Sequence, residues 1–191
     1  MTAPNEITRW LERLGQGDAR ALDAVMRLLY DELRTLARAR LRDERAEHTL
    51  SATALVNEAY LKLSRDQQIN AASRTQFFAV AARTMRRVLV DYARARKRIK
   101  RGGGAEHLPL EDVEPFLSEV EADEILALDD ALTRLAELQP RAAEVVEQRF
   151  YAGLSVEETA QLLNVSAKTV QRDWIVARAW LRKEVRRELG L

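Results

Sequence analysis

Leu154-Ser-Val-Glu-Glu-Thr-Ala160-Gln-Leu-Leu-Asn164-Val-Ser166-Ala-Lys-Thr-Val170-Gln-Arg172-Asp-Trp174 fits a helix-turn-helix residue by residue. Ser155 is a good N-cap, and Glu158 three residues later completes a capping box ahead of a short helix, Val156 to Leu163. Ala160 is small where two helices must approach, and Asn164 tolerates the left-handed conformation that ends a helix. Ser166 caps a second helix, on which Val170, Trp174, Ala177 and Leu181 recur at helical spacing as a buried stripe. Lys168, Thr169, Gln171, Arg172, Ile175 and Arg178 then lie on or beside the outward face. In a helix-turn-helix the second helix enters the major groove, where Arg pairs with guanine and Gln with adenine. The alternative is a helical hairpin that only packs. Capping, small-residue and turn signals agree with one another, which favours the DNA reader.

Outward from this motif, the composition predicts an all-α chain. Seven glycines and four prolines occur in 191 residues rich in Ala, Leu, Arg and Glu, without strand-like alternation. There is no cysteine, so disulfides and thiolate metal sites are excluded. His48 and His107 lie in no ligand pattern, and no metal or cofactor is expected. No apolar run approaches the ~20 residues that span a bilayer, and the N-terminus lacks a signal peptide's pattern, so the expectation is a cytoplasmic protein with no membrane partner. An enzyme is not expected: no nucleophile-base-acid set appears, and Gly102-Gly103-Gly104 is not followed by the ending of a phosphate-binding loop.

Charge is segregated behind a net value of +1. Arg83 to Arg101 holds nine Lys/Arg and one acid, whereas Ala105 to Asp130 holds ten acids and no Lys or Arg. Such asymmetry points to different partners for different segments. Helices are predicted from near Glu6 to Gly15, from about Asp18 to Arg42, after a cap near Ser51, and from about Gln76 to Lys100, with a polar loop from Ser64 to Thr75. The glycine run and the acidic stretch with Pro109 and Pro115 then divide the chain into two small helical domains. These are residues 1–101 and 125–191, joined by a flexible acidic linker at 102–124.

Three motifs in this order resemble bacterial extracytoplasmic-function sigma factors, the small promoter-recognition subunits of RNA polymerase, over nearly the whole chain. Leu138-Gln-Pro-Arg141, Arg149-Phe-Tyr151, Gly153-Leu-Ser155-Val-Glu-Glu158 and Thr169-Val170 through Arg178 look like the family's upstream-element reader. Leu55-Val-Asn-Glu58-Ala-Tyr-Leu-Lys62 looks like its polymerase-binding helix, implying contacts by Leu55, Val56, Glu58 and Lys62. Phe77-Phe78 to Asp91-Tyr92-Ala-Arg94 looks like its reader of the melted downstream element. The resemblance implies core RNA polymerase and promoter DNA as partners. A cationic helix bearing Arg83, Arg86, Arg87 and Arg94 beside aromatics suits phosphate attraction and base stacking. The preceding loop, with Asn70, Ser73, Arg74 and Thr75, would hold an extruded base. Phe77 and Phe78 are equally consistent with core positions, and the linker either follows polymerase's RNA exit path or is a plain connector. A different class, a helix-turn-helix regulator that binds operator DNA without polymerase, would use residues 1–100 to sense a signal or dimerise.

One departure from the family pattern suggests regulation. Where most members carry acids before the Leu-Val-x-Glu segment, this chain has Ser51-Ala52-Thr53-Ala54. Phosphorylation would add about −1.5 to −2 charge at a hydroxyl, with oxygens able to pair with arginine. Thr53, then Ser51 or Thr49, is the expected target of a Ser/Thr protein kinase that switches polymerase binding on. The alternative is that these hydroxyls only cap the helix.

Overall fold

The computed structural model describes residues 4–40, 49–65, 69, 71–100 and 119–191. They form α1 (Pro4–Gly15), α2 (Ala19–Arg40), α3 (Thr49–Arg65), α4 (Arg74–Lys100), α5 (Glu119–Leu138), α6 (Pro140–Val146), a π-helical turn (Glu147–Tyr151), α7 (Val156–Leu163) and α8 (Ala167–Leu189). No strand occurs among the described residues. None of the described helices is long and apolar enough to cross a membrane.

The first four helices close around one another because each carries an apolar stripe. Leu11 and Leu14 of α1, Leu22, Val25, Leu29 and Leu33 of α2, Leu55 and Val56 of α3, and Phe77, Met85 and Val88 of α4 are all buried. Pro140, which cannot donate a backbone hydrogen bond, stands at the start of α6 and separates it from α5. After Val146 the helix widens, and Ala152 N–H bonds back to the Glu147 carbonyl five residues earlier. This turn buries Tyr151, and burial pushes its phenol pKa up to about 12.

The two halves share one contiguous apolar core, running from Leu11 to Leu181. Helix α4 packs most extensively on α5 and also meets the π turn. Gly153, at φ +69°, would place a Cβ 3.2 Å from Leu36 Cδ1, so glycine here permits both the left-handed backbone and the close approach to α2.

Three sequence expectations change. Helix α5 begins at Glu119, so residues 119–124 of the expected linker are helical. The acids that marked them as linker stand at a helix N-terminus, where the dipole favours them. Residues 102–118 lie outside the described residues, as do Arg42, His48 and His107. Helix α3 begins at Thr49, which places Ser51 within its first turn rather than at a cap. The loop before α4 is shorter than Ser64–Thr75, because Ser64 belongs to α3 and Arg74 and Thr75 to α4.

Candidate nucleic-acid interface

Helices α7 and α8 meet through local chemistry that matches the sequence reading. Ser155 Oγ accepts the Glu158 backbone N–H at 3.0 Å, and the Glu158 carboxylate accepts the Ser155 N–H at 2.7 Å. Asn164 takes the left-handed conformation at φ 53°, and Ser166 Oγ accepts the Thr169 N–H at 3.1 Å. Val170 is buried against Val145 and Ala160, Ala177 is buried in the larger core, and Trp174 is half-buried. Lys168, Gln171, Arg172, Ile175 and Arg178 are exposed. Thr169 is half-buried, and its hydroxyl lies 2.8 Å from that of Ser166, which engages it in the cap. Arg178 lines the cleft between α8 and α4, together with Arg40 and Arg86.

Sequence reasoning missed Asp173, which is buried on the inner side of α8. Arg141 donates to its carboxylate from Nε at 2.6 Å, and Arg172 donates to the other oxygen at 3.3 Å. The acid thus ties α6 to α8 and steadies Arg172. An acid standing in the otherwise apolar register 170-173-177-181 was the available signal, because a buried carboxylate requires a cation. Glu184 continues that register, buried, and pairs with Arg187 at 2.6 Å and Arg134 at 3.5 Å.

The Arg141 hydrogen bond, aided by Arg172 and opposed by burial, holds the Asp173 carboxyl below its ordinary pKa of 3.8. Since the native pKa is the lower one, the pair stabilises the fold fully above the unfolded value. That contribution is lost as pH falls through the native value. Stability curves of wild type and Asp173→Asn should therefore stay apart from neutrality down to about pH 5 and converge below about pH 4. A gap independent of pH would contradict the assignment.

Helix α4 presents a different picture from the one expected. Phe77 is fully buried and Phe78 nearly so, which makes both core residues. Arg86, with its side chain only 15% exposed, donates to Asp129 of α5 at 2.6 Å and to Glu147 of the π turn at 2.7 Å. Arg83 lies 3.4 Å from Glu147, Arg94 3.5 Å from Asp129, and Lys97 2.7 Å from Asp123. Arg87 is exposed.

Ahead of α4, Ser73 Oγ accepts the Gln76 N–H at 3.2 Å, so this hydroxyl caps the helix. Arg74 pairs with Glu32 and lies 4.9 Å over the Phe78 ring. Arg74, Thr75 and Phe78 line a cavity of about 500 Å³ with Glu32, Gly153 and Leu154. Asn70 lies outside the described residues.

On α3, Leu55 and Val56 are fully buried and cannot themselves touch a partner. Their apolar spacing reflects the core, because residues that fill a helix's inner stripe are withdrawn from its outer face. Glu58 is half-buried, and Lys62 pairs with Asp91 at 2.5 Å. Asn57, Leu61, Ser64 and Arg65 are exposed, Leu61 to 45%. Leu61 was overlooked because one more leucine on a helix reads as core. Thr53 is half-buried in the second turn of α3.

The described residues form helices and no strand, and α8 exposes Lys168, Arg172 and Arg178. Residues 4–187 match the model of the ECF sigma factor family, and the chain belongs to that family. It is accordingly a sigma factor, with core RNA polymerase and promoter DNA as partners in transcription initiation. No match is found among curated proteins. The family does not favour the operator-binding regulator.

Proposed function

We propose that the chain directs promoter-specific initiation through two DNA-binding faces and one polymerase-binding face. Lys168, Gln171 and Arg172 of α8 meet base edges of an upstream duplex element, with Ile175 in apolar contact. The cations of α4, with Arg74 and Thr75 at its start, engage the opened downstream strand. Asn57, Glu58 and Leu61, on the accessible side of α3, contact core polymerase. The observation that carries this reading is the doubly capped α7–α8 pair, which leaves Lys168, Gln171 and Arg172 exposed in a chain matched by the family almost from end to end.

Phosphorylation of Thr53 supplies the charge that Ser51-Ala52-Thr53-Ala54 lacks. Thr53 lies beyond the first turn of α3, so the helix dipole adds little, and the phosphate acts through arginines of the partner. Ser51 and Thr49, in the first turn, are the secondary targets.

A pull-down on purified core polymerase, followed by transcription from a genomic promoter library, tests both levels. Kinase-treated wild type and Thr53→Glu should bind core on the order of tenfold or more above Thr53→Ala, since a phosphate gains one to three charge-assisted hydrogen bonds. Equal binding by all three removes the switch and leaves Thr53 a structural residue. Absence of initiation from any promoter, with phosphorylated protein included, overturns the sigma reading of this chain.

A further inference from the structure

A cleft of about 1000 Å³ runs along α8, beside α4 and α5. Its α8 wall extends from Trp174 to Leu189, a length of about 22 Å at the rise of an α-helix. The floor is aliphatic, with Leu89 of α4, Leu128 of α5, Val146 of α6, and Leu181, Val185 and Leu189 of α8. Arg178, Arg182 and Arg186 stand one helical turn apart in its lining, all exposed and without an ion pair to a described residue. Glu124 is the one carboxylate among the described lining residues. The cleft is therefore apolar inside and cationic at its edge.

Arg40 marks the place for an anion. It is half-buried in the cleft wall, where its guanidinium lies 4.7 Å over the Phe150 ring, and burial pushes its pKa below the ordinary arginine value. Nε donates to the Tyr151 carbonyl at 3.4 Å and Nη1 to the Ala39 carbonyl at 3.3 Å. Three of the five guanidinium donors thus have no partner among the described residues. Arg86, also in the lining, is by contrast taken up by Asp129 and Glu147. A partly desolvated cation with open donors calls for an anionic ligand. We propose that the cleft binds one molecule of a free single-chain fatty acid, its carboxylate on Arg40 and its alkyl chain along α8 toward Leu189. Single-stranded nucleic acid fits less well, because base stacking needs aromatic faces and this floor is aliphatic. An extended peptide fits less well too: Leu89, Leu128, Val146, Leu181 and Val185 lie in helices whose backbone groups are already paired, so its own would stay unsatisfied. An alkyl chain has no such groups to satisfy. The site does not depend on how α4 or α8 meets DNA, so its failure leaves the promoter-binding reading untouched.

Calorimetric titration of the full chain with decanoate, laurate and myristate, each below its micellar range, tests the site. Affinity should rise on the order of tenfold for every two added carbons, because each buried methylene contributes about fourfold. One molecule should bind per chain. Dodecanol, which has the chain of laurate without its charge, should bind about tenfold more weakly, as loss of a charge-assisted hydrogen bond gives. Affinity independent of chain length, several molecules per chain, or binding confined to the micellar range would show surfactant adsorption and overturn the proposal.

Variants separate head group from chain. Arg40→Gln should lower laurate affinity to that of dodecanol and leave dodecanol binding unchanged, whereas Arg40→Lys, which keeps the cation, should retain most of the difference. Equal losses for both ligands in Arg40→Gln overturn the carboxylate assignment. Leu128→Asn, at a half-buried floor position, should weaken both ligands alike and flatten the dependence on chain length. A wild-type response in this variant overturns the placement of the chain. Finally, replacing Glu106, Glu111, Asp112 and Glu114 by Gln should leave laurate binding within about twofold of wild type, because a cleft without a resident has no occupied fraction to lose. A gain on the order of tenfold or more would make the chain's own acidic stretch the occupant and overturn the proposal.

Discussion

Phe77→Ala is expected to destabilise the chain by about 3–5 kcal/mol, as removing a fully buried aromatic side chain does. Phe77 has no exposed surface and sits near the start of α4, among the stripes of the first half. For a chain of this size the melting temperature would fall by roughly 6–20 °C, at about 2–4 °C per kcal/mol. Thermal unfolding followed by far-ultraviolet circular dichroism measures this directly. The result also separates the two readings of the phenylalanine pair. Phe77→Leu retains most of the volume and should cost much less. If Phe77 instead stacked on a base, Phe77→Leu would weaken single-strand binding by about 1–3 kcal/mol with stability almost unchanged. That outcome would remove Phe77 from the core.

Arg172→Ala should lower promoter-specific initiation by about 5- to 150-fold, the equivalent of the 1–3 kcal/mol carried by one bidentate arginine–guanine contact. Core polymerase binding should not change, because Arg172 lies on α8, away from α3. The fold should survive as well, since the 2.6 Å bond from Arg141 still pairs Asp173. Arg172→Lys keeps the charge but loses the planar fork, so most of the loss should remain. Transcription from a cognate promoter and from a variant altered at one upstream base pair provides the measurement. An equal loss on both templates would make Arg172 a phosphate contact, and no loss on either would remove it from the interface.

Legibility in the sequence followed the range of the interactions. The caps at Ser155 and Ser166 and the left-handed Asn164 depend on neighbours within a few residues, so side-chain chemistry alone located them. The inner stripes of α1 to α4 were readable because burial repeats every turn. The fate of Arg86 was not readable in this way: its partners lie 43 and 61 residues along the chain. Helical periodicity separates an inner face from an outer one but does not tell solvent, DNA or another part of the chain apart. The same gap explains Leu55 and Val56, whose motif position suggests contact with a partner while their spacing places them inside. Asp173 was legible in principle, as an acid standing in an apolar register, but only when paired with Arg141 from another helix. The start of α5 was hidden because acids that mark a connector also favour a helix N-terminus.

The sharing of Asp173 between Arg141 and Arg172 has a consequence for redesign of this protein. Lys168, Gln171 and Ile175 make no hydrogen bond or ion pair with a described residue, so their exchange leaves the scaffold unaltered. Position 172 differs, because any replacement also changes the carboxylate that joins α6 to α8. Promoter preference can therefore be diversified in a library over 168, 171 and 175, with Arg141, Arg172 and Asp173 kept together as a fixed module. Such a library would yield regulators for orthogonal gene circuits whose members differ in target but share one melting temperature.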